Sequence, residues 1–156
     1  MTIHLAGGIA LYDGKLLMVA SRYRNQAQPL WNLPGGRQRD GELLFETVQR
    51  ELREETGLDA AAGELAYVSE SYDGDVHYVN ATFVVTLRDP KAPLRAAGDG
   101  DHVVAVEWVP LADVRPRVVV EVVREPLVAF LENRLQRRYV GYHDAGITIE
   151  WPDDSG

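Results

Sequence analysis

The order of apolar and polar positions predicts a chain built from strands that are joined by tight turns. Apolar runs flank the pairs Asp13-Gly14 and Asp73-Gly74, and each pair supplies the positive φ angles that a tight β-hairpin requires. Two hairpins are therefore expected, one around each pair. A further strand is predicted at residues 103–110, where apolar residues dominate.

Two other segments show the helical spacing of apolar residues. The first runs from Leu44 to Thr56 and is closed by Gly57, a residue type suited to the left-handed position behind a helix. The second covers residues 124–138, and we expect Pro126 to lie in its first turn.

The remaining segments are predicted to be connections. Residues 23–36 and 89–102 are rich in Pro, Gly and polar side chains, which is typical of loops. A short strand is expected within residues 146–156. Since no repeat or linker divides the chain, residues 1–156 are predicted to form one domain, with residues 139–156 as a C-terminal extension.

Composition excludes several classes of protein. Hydrophobic residues make up 46% and charged residues 26% of the 156 residues, which is ordinary for a globular protein and unlike a disordered or fibrous chain. The absence of cysteine excludes disulfides, thiolate nucleophiles and Cys-ligated zinc. No apolar run approaches the roughly 20 residues that span a bilayer, and the N-terminus does not resemble a signal peptide. We therefore expect a cytoplasmic protein without a membrane partner.

Net charge changes the picture of the binding partners. The formal charge of -8 does not provide the basic footprint of a protein that binds nucleic acid. It still allows a local basic pocket for a small phosphorylated ligand.

The predicted helix at residues 44–56 carries three glutamates within five positions, although like charges at helical spacing repel by a few tenths of a kcal/mol per pair. At about 100° per residue, Glu51, Glu54 and Glu55 fall within an arc of about 100°. The apolar residues Phe45, Val48 and Leu52 lie beside that arc. Half-buried carboxylates crowded in this way take up protons or gather a cation, and Mg²⁺ prefers such oxygen ligands. A solvated acidic face is the alternative interpretation of the glutamates taken alone.

Other residues in this stretch suggest how such a site would be supported. Arg50 is placed to brace Glu54, and Glu42 in the preceding turn is another acceptor within its reach. Gly35 and Gly36 would let main-chain groups approach a metal or phosphate where a side chain would block them.

The spacing of these residues matches a known motif. In order, it reads Gly36, five residues, Glu42, seven residues, Arg50-Glu51-Leu52, one residue, Glu54-Glu55, one residue and Gly57-Leu58. This arrangement resembles the complete Nudix box. The flanking segments WNLPGG and VVAVEWVPLADV are similar to the corresponding parts of that family, so the resemblance runs from about Ile3 to Phe130.

The resemblance implies a fold, an activity and a set of site residues. It implies an α/β fold, an α/β/α sandwich around a mixed β-sheet, and a hydrolase acting on phosphoric anhydride bonds of a nucleoside diphosphate linked to another moiety. Glu51, Glu54 and Glu55 would bind Mg²⁺ or Mn²⁺, with the carbonyl of Gly35 as a further ligand. Water activated by the metal would attack phosphorus.

The resemblance also implies roles for the bracing residues. Arg50 and Glu42 would hold the loop and helix together and belong with Glu51 and Glu54 to the catalytic set. Leu43 departs from the family, because many members have a helix-capping Ser or Thr there.

Residues outside the motif are weaker candidates. Arg22 and Arg24 precede it, where the family often has an arginine that contacts phosphate, and together with Gly35 and Gly36 they are the predicted substrate-binding residues. The general base is left open between Glu54, Asp99, Asp101 and His102, with Glu107 less favoured. The residues considered for a base pocket are Tyr23, Trp31, Tyr72, Tyr78 and Asn80.

Several functions remain open at this level. A MutT-like nucleoside triphosphate pyrophosphohydrolase fits the short chain. ADP-ribose is less favoured because no proline occurs between Pro34 and Pro90, and hydrolases of nucleotide sugars or dinucleoside polyphosphates remain alternatives. A non-catalytic nucleotide-binding module is a further alternative, although such modules usually lose one of the box glutamates. The expected partner is a small nucleotide, and the sequence is also compatible with a homodimer.

Overall fold

The computed structural model describes residues 1–96 and 102–152. Two sheets, three α-helices and one 3₁₀ turn make up the described part of the chain. The strands are β1 (Thr2–Ile9), β2 (Leu11–Tyr12), β3 (Lys15–Ser21), β4 (Leu30–Asn32), β5 (Gly35–Arg37), β6 (Ala60–Asp73), β7 (Val76–Leu87), β8 (Val103–Pro110) and β9 (Tyr139–Tyr142). The helices are α1 (Leu44–Thr56), α2 (Val114–Arg117), which follows a 3₁₀ turn at Leu111–Asp113, and α3 (Glu121–Leu131).

The larger sheet is mixed and has the strand order β5-β1-β7-β6-β9. Strands β1 and β7 are parallel, as are β6 and β9, whereas β5 runs antiparallel to β1 and β7 antiparallel to β6. In the second sheet, β3 pairs antiparallel with β2, β4 and β8. Both predicted hairpins are present, because Tyr12 pairs with Lys15 and Asp73 with Val76.

The sheets lie between two helical layers. Along β3, Leu16 and Met18 join an apolar cluster that also contains Leu127 of α3, while Leu17 joins a second cluster with Leu52 of α1. Successive side chains of a strand point to opposite faces, so both faces of β3 are covered. This arrangement confirms the predicted α/β/α sandwich around a mixed sheet.

Helix α1 has the predicted bounds. It ends at Gly57, whose φ of 80° is left-handed and whose N–H donates a hydrogen bond of 2.9 Å to the carbonyl oxygen of Arg53. No hydroxyl caps its start. Instead, the carboxylate of Glu46 accepts a hydrogen bond of 2.9 Å from the N–H of Leu43, which satisfies one main-chain donor at the helix start. Phe45, expected beside the buried face, is exposed.

The second predicted helix is wrong in its bounds. Helix α3 begins three residues earlier than expected, so Pro126 is its sixth residue and does not lie in the first turn. It ends at Leu131, and Asn133 behind it has a left-handed φ of 56°. Leu135 therefore lies outside the helix, although it packs against the same core cluster.

Two further expectations are corrected. The final strand is β9, at Tyr139–Tyr142, and the described residues from 146 onward form no strand. The predicted loop at residues 23–36 contains the short strand β4 and the first two residues of β5, and these strands pair with β3 and β1. Within the described ranges, no helix is long and apolar enough to cross a membrane.

Candidate active site

Strand β5 and helix α1 meet at two glycines whose missing side chains make room for other groups. A Cβ atom on Gly35 would lie 2.2 Å from the carbonyl oxygen of Ala6, so β5 can lie this close to β1 only with glycine there. A Cβ atom on Gly36 would lie 2.6 to 2.9 Å from the carboxyl group of Glu51. The Gly35 N–H donates a hydrogen bond of 2.9 Å to Glu55 Oε1. The main chain of β5 is thus held directly beside two carboxylates.

Arg50 connects three parts of this junction. Its Nε and Nη2 atoms donate to the two carboxylate oxygens of Glu42 at 2.6 and 3.0 Å, and Nη2 also donates to the carbonyl oxygen of Arg37 at 3.0 Å. Its Nη1 atom donates to Glu51 Oε1 at 2.6 Å. The expected contact between Arg50 and Glu42 is therefore present, and one guanidinium ties the turn before α1 to β5 and to the helix.

These contacts shift the pKa values of both partners. The hydrogen bonds from Arg50 lower the pKa of Glu42 to about 2. Conversely, the hydrogen bonds to Glu42 raise the pKa of Arg50 above its usual value. Both side chains therefore remain charged around neutral pH. Their two hydrogen bonds form a bidentate ion pair, the strong form of this interaction.

The three glutamates of α1 have different surroundings. Glu55 is 1% exposed, Glu51 is half-buried against the strand, and the Glu54 side chain is 43% exposed. Glu54 lies 3.4 Å from Arg50 Nη1 and 3.8 Å from Arg39 Nη2. In the part of the chain that the structure describes, no three His, Asp or Glu side chains stand close enough together to hold one metal ion. The carboxylates share a helix face, but they do not converge on one point.

A cavity of about 190 Å³ lies next to this junction. Gly35, Gly36 and Glu55 belong to its wall, so the cavity adjoins the carboxylate-bearing helix. The rest of the lining is mainly apolar and aromatic, with a few polar groups from β6 and β7. Of the residues considered for a base pocket, Tyr23, Trp31, Tyr78 and Asn80 line this cavity. The fifth, Tyr72, lies elsewhere and stacks on His77 with 4.5 Å between ring centroids.

Three rings meet at the wall of the cavity. Those of Tyr23, His102 and Trp151 have their centroids 5.5 to 5.8 Å apart. Burial, together with the negative charge of nearby Glu55, raises the pKa of Tyr23 to about 12. The hydroxyl of Tyr23 is therefore neutral at physiological pH.

The C-terminal segment, residues 143–152, closes one side of the cavity. Its side chains at alternate positions, Ala145, Ile147, Ile149 and Trp151, line the cavity. On one flank, the Asp73 carboxylate accepts hydrogen bonds from Thr148 Oγ1 at 2.8 Å and from the N–H of residue 149 at 3.3 Å.

The loop before β4 holds the other flank of the C-terminal segment. Asn25 Nδ2 donates to the carbonyl oxygen of Thr148 at 2.6 Å, and Asn25 Oδ1 accepts from the N–H of Glu150 at 2.9 Å. The N–H of Arg24 donates to the carbonyl oxygen of Glu150 at 2.9 Å. The segment is therefore fixed by main-chain and side-chain hydrogen bonds on both flanks.

Comparison with protein families identifies the fold as a known one. The model of the NUDIX domain matches residues 2–130 of this chain. The chain belongs to the NUDIX family. The motif at residues 36–58 is accordingly a Nudix box, and Gly36, Arg50 and the glutamates described above are its members, with Gly35 directly before it.

Individual NUDIX proteins are similar over different parts of the chain. Nudix hydrolase 8 of Arabidopsis thaliana is 28% identical over 141 residues, which cover 86% of this chain and 37% of that protein. An ADP-ribose pyrophosphatase of Methanocaldococcus jannaschii is 36% identical over 82 residues, 51% of this chain and 48% of that one. The matched regions thus span less than half of either relative. Among solved structures, a NUDIX hydrolase from Nitrosomonas europaea superposes with a TM-score of 0.70 at 19% identity, covering 89% of this chain and 93% of that one.

The structure places the predicted site residues in two groups. Gly35, Gly36, Glu42, Arg50 and the three glutamates are brought together at the junction of β5 and α1. Arg22 and Arg24 are exposed and lie outside the cavity lining, and their role in substrate binding stays a prediction.

The candidates for the general base are also separated. His102 lines the cavity, whereas Glu107 lies in β8 and pairs with Arg117 at 2.7 Å. Asp99 and Asp101 lie outside the described residues.

Two residues near the cavity were not anticipated. Trp151 lines the cavity, and the Cζ atom of Arg37 lies 4.4 Å from the centroid of its ring. Arg37 lies inside the Nudix box at a position that the motif leaves unspecified, and Trp151 lies beyond the part of the chain that resembles the family. No local pattern could have joined them, because 113 intervening positions separate the two residues along the chain.

Proposed function

We propose that this chain is a Nudix pyrophosphohydrolase that binds the nucleoside part of a nucleotide in the cavity and cleaves a phosphoric anhydride bond beside helix α1. The observation that carries this proposal is the position of the cavity. Its wall includes Gly35, Gly36 and Glu55, so a nucleoside bound inside has the carboxylate-bearing helix directly at its side. A phosphate chain attached to that nucleoside would reach the helix without crossing the protein.

The donor set at α1 fits a divalent cation in its chemistry. Glu51, Glu54, Glu55 and the carbonyl of Gly35 offer the oxygen ligands that Mg²⁺ and Mn²⁺ prefer. The three carboxylates do not converge on one point in the described structure, so a cation shared by all three requires their side chains to move. When bound, the cation would neutralise pyrophosphate oxygens and favour ionisation of the attacking water.

The chain's own residues would divide the remaining work. Arg50, bound to Glu42 and to the Arg37 carbonyl, fixes the helix relative to β5. The glycines keep space for main chain and carboxylate at the same place. Glu54 is the most exposed of the three glutamates and can meet water, which suits a general base, and His102 at the cavity wall is the second candidate for that role.

The preferred substrates are MutT-like, namely nucleoside triphosphates or related nucleotides. The cavity is lined by small polar groups and aromatic rings, which suits recognition of one nucleobase. ADP-ribose is the second candidate, since the Methanocaldococcus jannaschii relative is named an ADP-ribose pyrophosphatase. We further propose that residues 1–156 act as one domain, with residues 139–156 as a C-terminal extension. In its described part, Ala145, Ile147, Ile149 and Trp151 contribute to the wall of the cavity. The cytoplasmic location and the homodimer stay predictions.

The test is a hydrolysis screen with Mg²⁺ or Mn²⁺. Nucleoside triphosphates, nucleotide sugars, ADP-ribose and dinucleoside polyphosphates are incubated with the protein, and phosphate or nucleoside monophosphate release is measured. We expect turnover of at least one class. Binding of nucleotides without any turnover across the panel would indicate a non-catalytic module instead.

A variant pair links turnover to the proposed site. Glu54→Gln should lower kcat by orders of magnitude and leave the fold intact, because the change removes a charge and keeps the shape of the side chain. Glu64→Gln, at an exposed position of β6, is the matched control and should retain activity. Near-normal activity of Glu54→Gln would contradict the assignment of the site to α1.

A further inference from the structure

Arg37 occupies an unusual position between the two halves of the proposed site. Its main chain belongs to β5, and its carbonyl oxygen accepts the hydrogen bond from Arg50 that ties this strand to α1. Its side chain extends to the other half, where the guanidinium carbon lies 4.4 Å from the centroid of the Trp151 ring. The residue therefore joins the carboxylate network to the wall of the cavity.

The Arg37 side chain has donor capacity that the described residues do not use. Its Nε atom is buried and has no hydrogen-bond partner in the described part of the chain. A buried donor without a partner is costly, and such groups in native proteins call for an explanation such as a functional role or a bound water or ion. A planar guanidinium with spare donors is the side chain best suited to bind phosphate oxygens.

Trp151 holds this guanidinium in place. A cation stacked on an indole ring is attracted by the electron-rich face of the ring, and the contact strengthens where water is excluded. The ring is itself fixed, because its Nε1 donates a hydrogen bond of 3.3 Å to the Tyr78 hydroxyl and Tyr23 and His102 pack around it. The hydrogen bonds of the C-terminal segment to Asp73 and Asn25 fix the main chain that carries the ring.

We propose that Arg37 contacts a phosphate of the bound nucleotide and that Trp151, through its stacking contact, is the residue that positions it. This inference rests on the proposed function, because it assumes a nucleotide in the cavity. The C-terminal segment would then hold the phosphate-binding arginine in position as well as line the cavity. The ligand group recognised is a phosphate attached to a nucleoside.

The test is a double-mutant cycle on binding, measured without turnover. The probes are the α,β-methylene analogues of ATP and CTP, which carry phosphates that cannot be cleaved at this bridge, and adenosine and cytidine, which carry none. Dissociation constants are measured by calorimetry in the absence of metal for wild type, Arg37→Ala, Trp151→Ala and the double variant. The matched controls are Arg88→Ala and Trp108→Phe, an exposed arginine and a tryptophan that are both outside the cavity lining.

The expected result separates phosphate binding from general damage. Arg37→Ala should weaken binding of the triphosphate analogues about 10- to 100-fold, the range for a hydrogen bond to a charged group, and leave nucleoside binding unchanged. Trp151→Ala should weaken the analogues about threefold to thirtyfold, the range for a cation–π contact. In the Arg37→Ala background, Trp151→Ala should add little to the loss of phosphate-dependent affinity. Trp151→Phe, which keeps a ring, should restore most of the affinity.

Two outcomes would overturn the inference or its positioning part, and comparison with the hydrolysis screen separates it from the proposed activity. Unchanged affinity of Arg37→Ala for the analogues would remove that arginine from the site. Fully additive effects of the two substitutions would mean that Trp151 does not act through Arg37, and the positioning role would be wrong. If wild type hydrolyses nucleotides and Arg37→Ala binds them normally, only this inference fails. If binding depends on Arg37 but wild type hydrolyses none of the nucleotides, the proposed activity is overturned and the inference is supported.

Discussion

Substitutions at three neighbouring glycines of β1 and β5 should separate effects on the geometry of the site from effects on the stability of the protein. A Cβ atom on Gly35 would lie 2.2 Å from the carbonyl oxygen of Ala6 and 2.7 Å from the Cα atom of Gly7. Both contacts are with main-chain atoms, which cannot move away by a rotamer change as a side chain can. Strand β5 would have to leave β1, and the hydrogen bond from the Gly35 N–H to Glu55 would be lost. We expect Gly35→Ala to cost about 3 kcal/mol of unfolding free energy, which corresponds to a Tm lower by roughly 6 to 12 °C.

Gly36→Ala should behave differently, because the atoms it would meet belong to the end of a flexible side chain. The Cδ and both oxygens of Glu51 lie 2.6 to 2.9 Å from the position of the new Cβ. The carboxyl group can swing away, so the unfolding free energy should stay within about 1 kcal/mol of wild type. The displaced Glu51 would lose its 2.6 Å contact with Arg50, and we expect kcat to fall sharply.

The assay combines urea unfolding with turnover on the substrate that the hydrolysis screen identifies. Gly7→Ala is the stability control, since its Cβ would meet nothing closer than 3.7 Å and the change should be neutral or stabilising by up to about 1 kcal/mol. Equal destabilisation by Gly35→Ala and Gly36→Ala would refute the reasoning about which neighbours can yield. Full turnover by Gly36→Ala would show that the place of Glu51 beside the strand is not needed.

Two other predictions concern the hydrogen bonds around the site. Glu42→Gln should lower the unfolding free energy at neutral pH by at most about 3 kcal/mol, because the fold lowers the pKa of Glu42 to about 2. The ionised carboxylate contributes its full stabilisation above about pH 4.5, and this stabilisation is lost as the pH falls towards 2. Urea unfolding between pH 2.5 and 7 should therefore show a steeper acid loss for wild type than for Glu42→Gln, and equal slopes would contradict this. Asp73→Ala should speed amide hydrogen exchange in residues 145–150, because it removes two acceptor contacts, whereas Asp75→Ala in the same turn should not. Unchanged exchange in Asp73→Ala would mean that the contacts on the other flank hold the segment alone.

The sequence predicted the parts of the fold whose signals are local. Helix α1 begins and ends as expected because an apolar stripe and a left-handed glycine are both readable within its length. The first hairpin turns at its Asp13-Gly14 pair as expected, whereas the second turns at Gly74 and Asp75, one residue later than the Asp73-Gly74 pair. The start of α3 is hidden from local signals because its valines favour strands. Its end is set by the left-handed conformation of Asn133, which the helical spacing of apolar residues through Leu135 does not indicate.

The site was predictable only where its residues share one segment. Within the Nudix box, spacing alone brought Glu42 and Arg50 together. The cavity could not be predicted, because its wall combines both sheets with a C-terminal segment that has no strand pairing of its own. The contact of Arg37 with Trp151 depends on that long-range packing, and Ile147 and Ile149 alternate as in a strand although they face the cavity.

Strand β9 imposes a practical limit on how the C-terminal segment can be studied. Its four residues are the cover along the outer edge of β6, where Val68 pairs with Tyr139 and Ser71 with Tyr142. Without them, the edge of β6 would expose unpaired amide and carbonyl groups, which can pair with another extended chain and lead to self-association. A deletion that starts after Tyr142 would test the loss of the cavity wall alone. One that starts before Tyr139 would also expose the edge of β6, so that loss of the cavity wall could not be distinguished from aggregation.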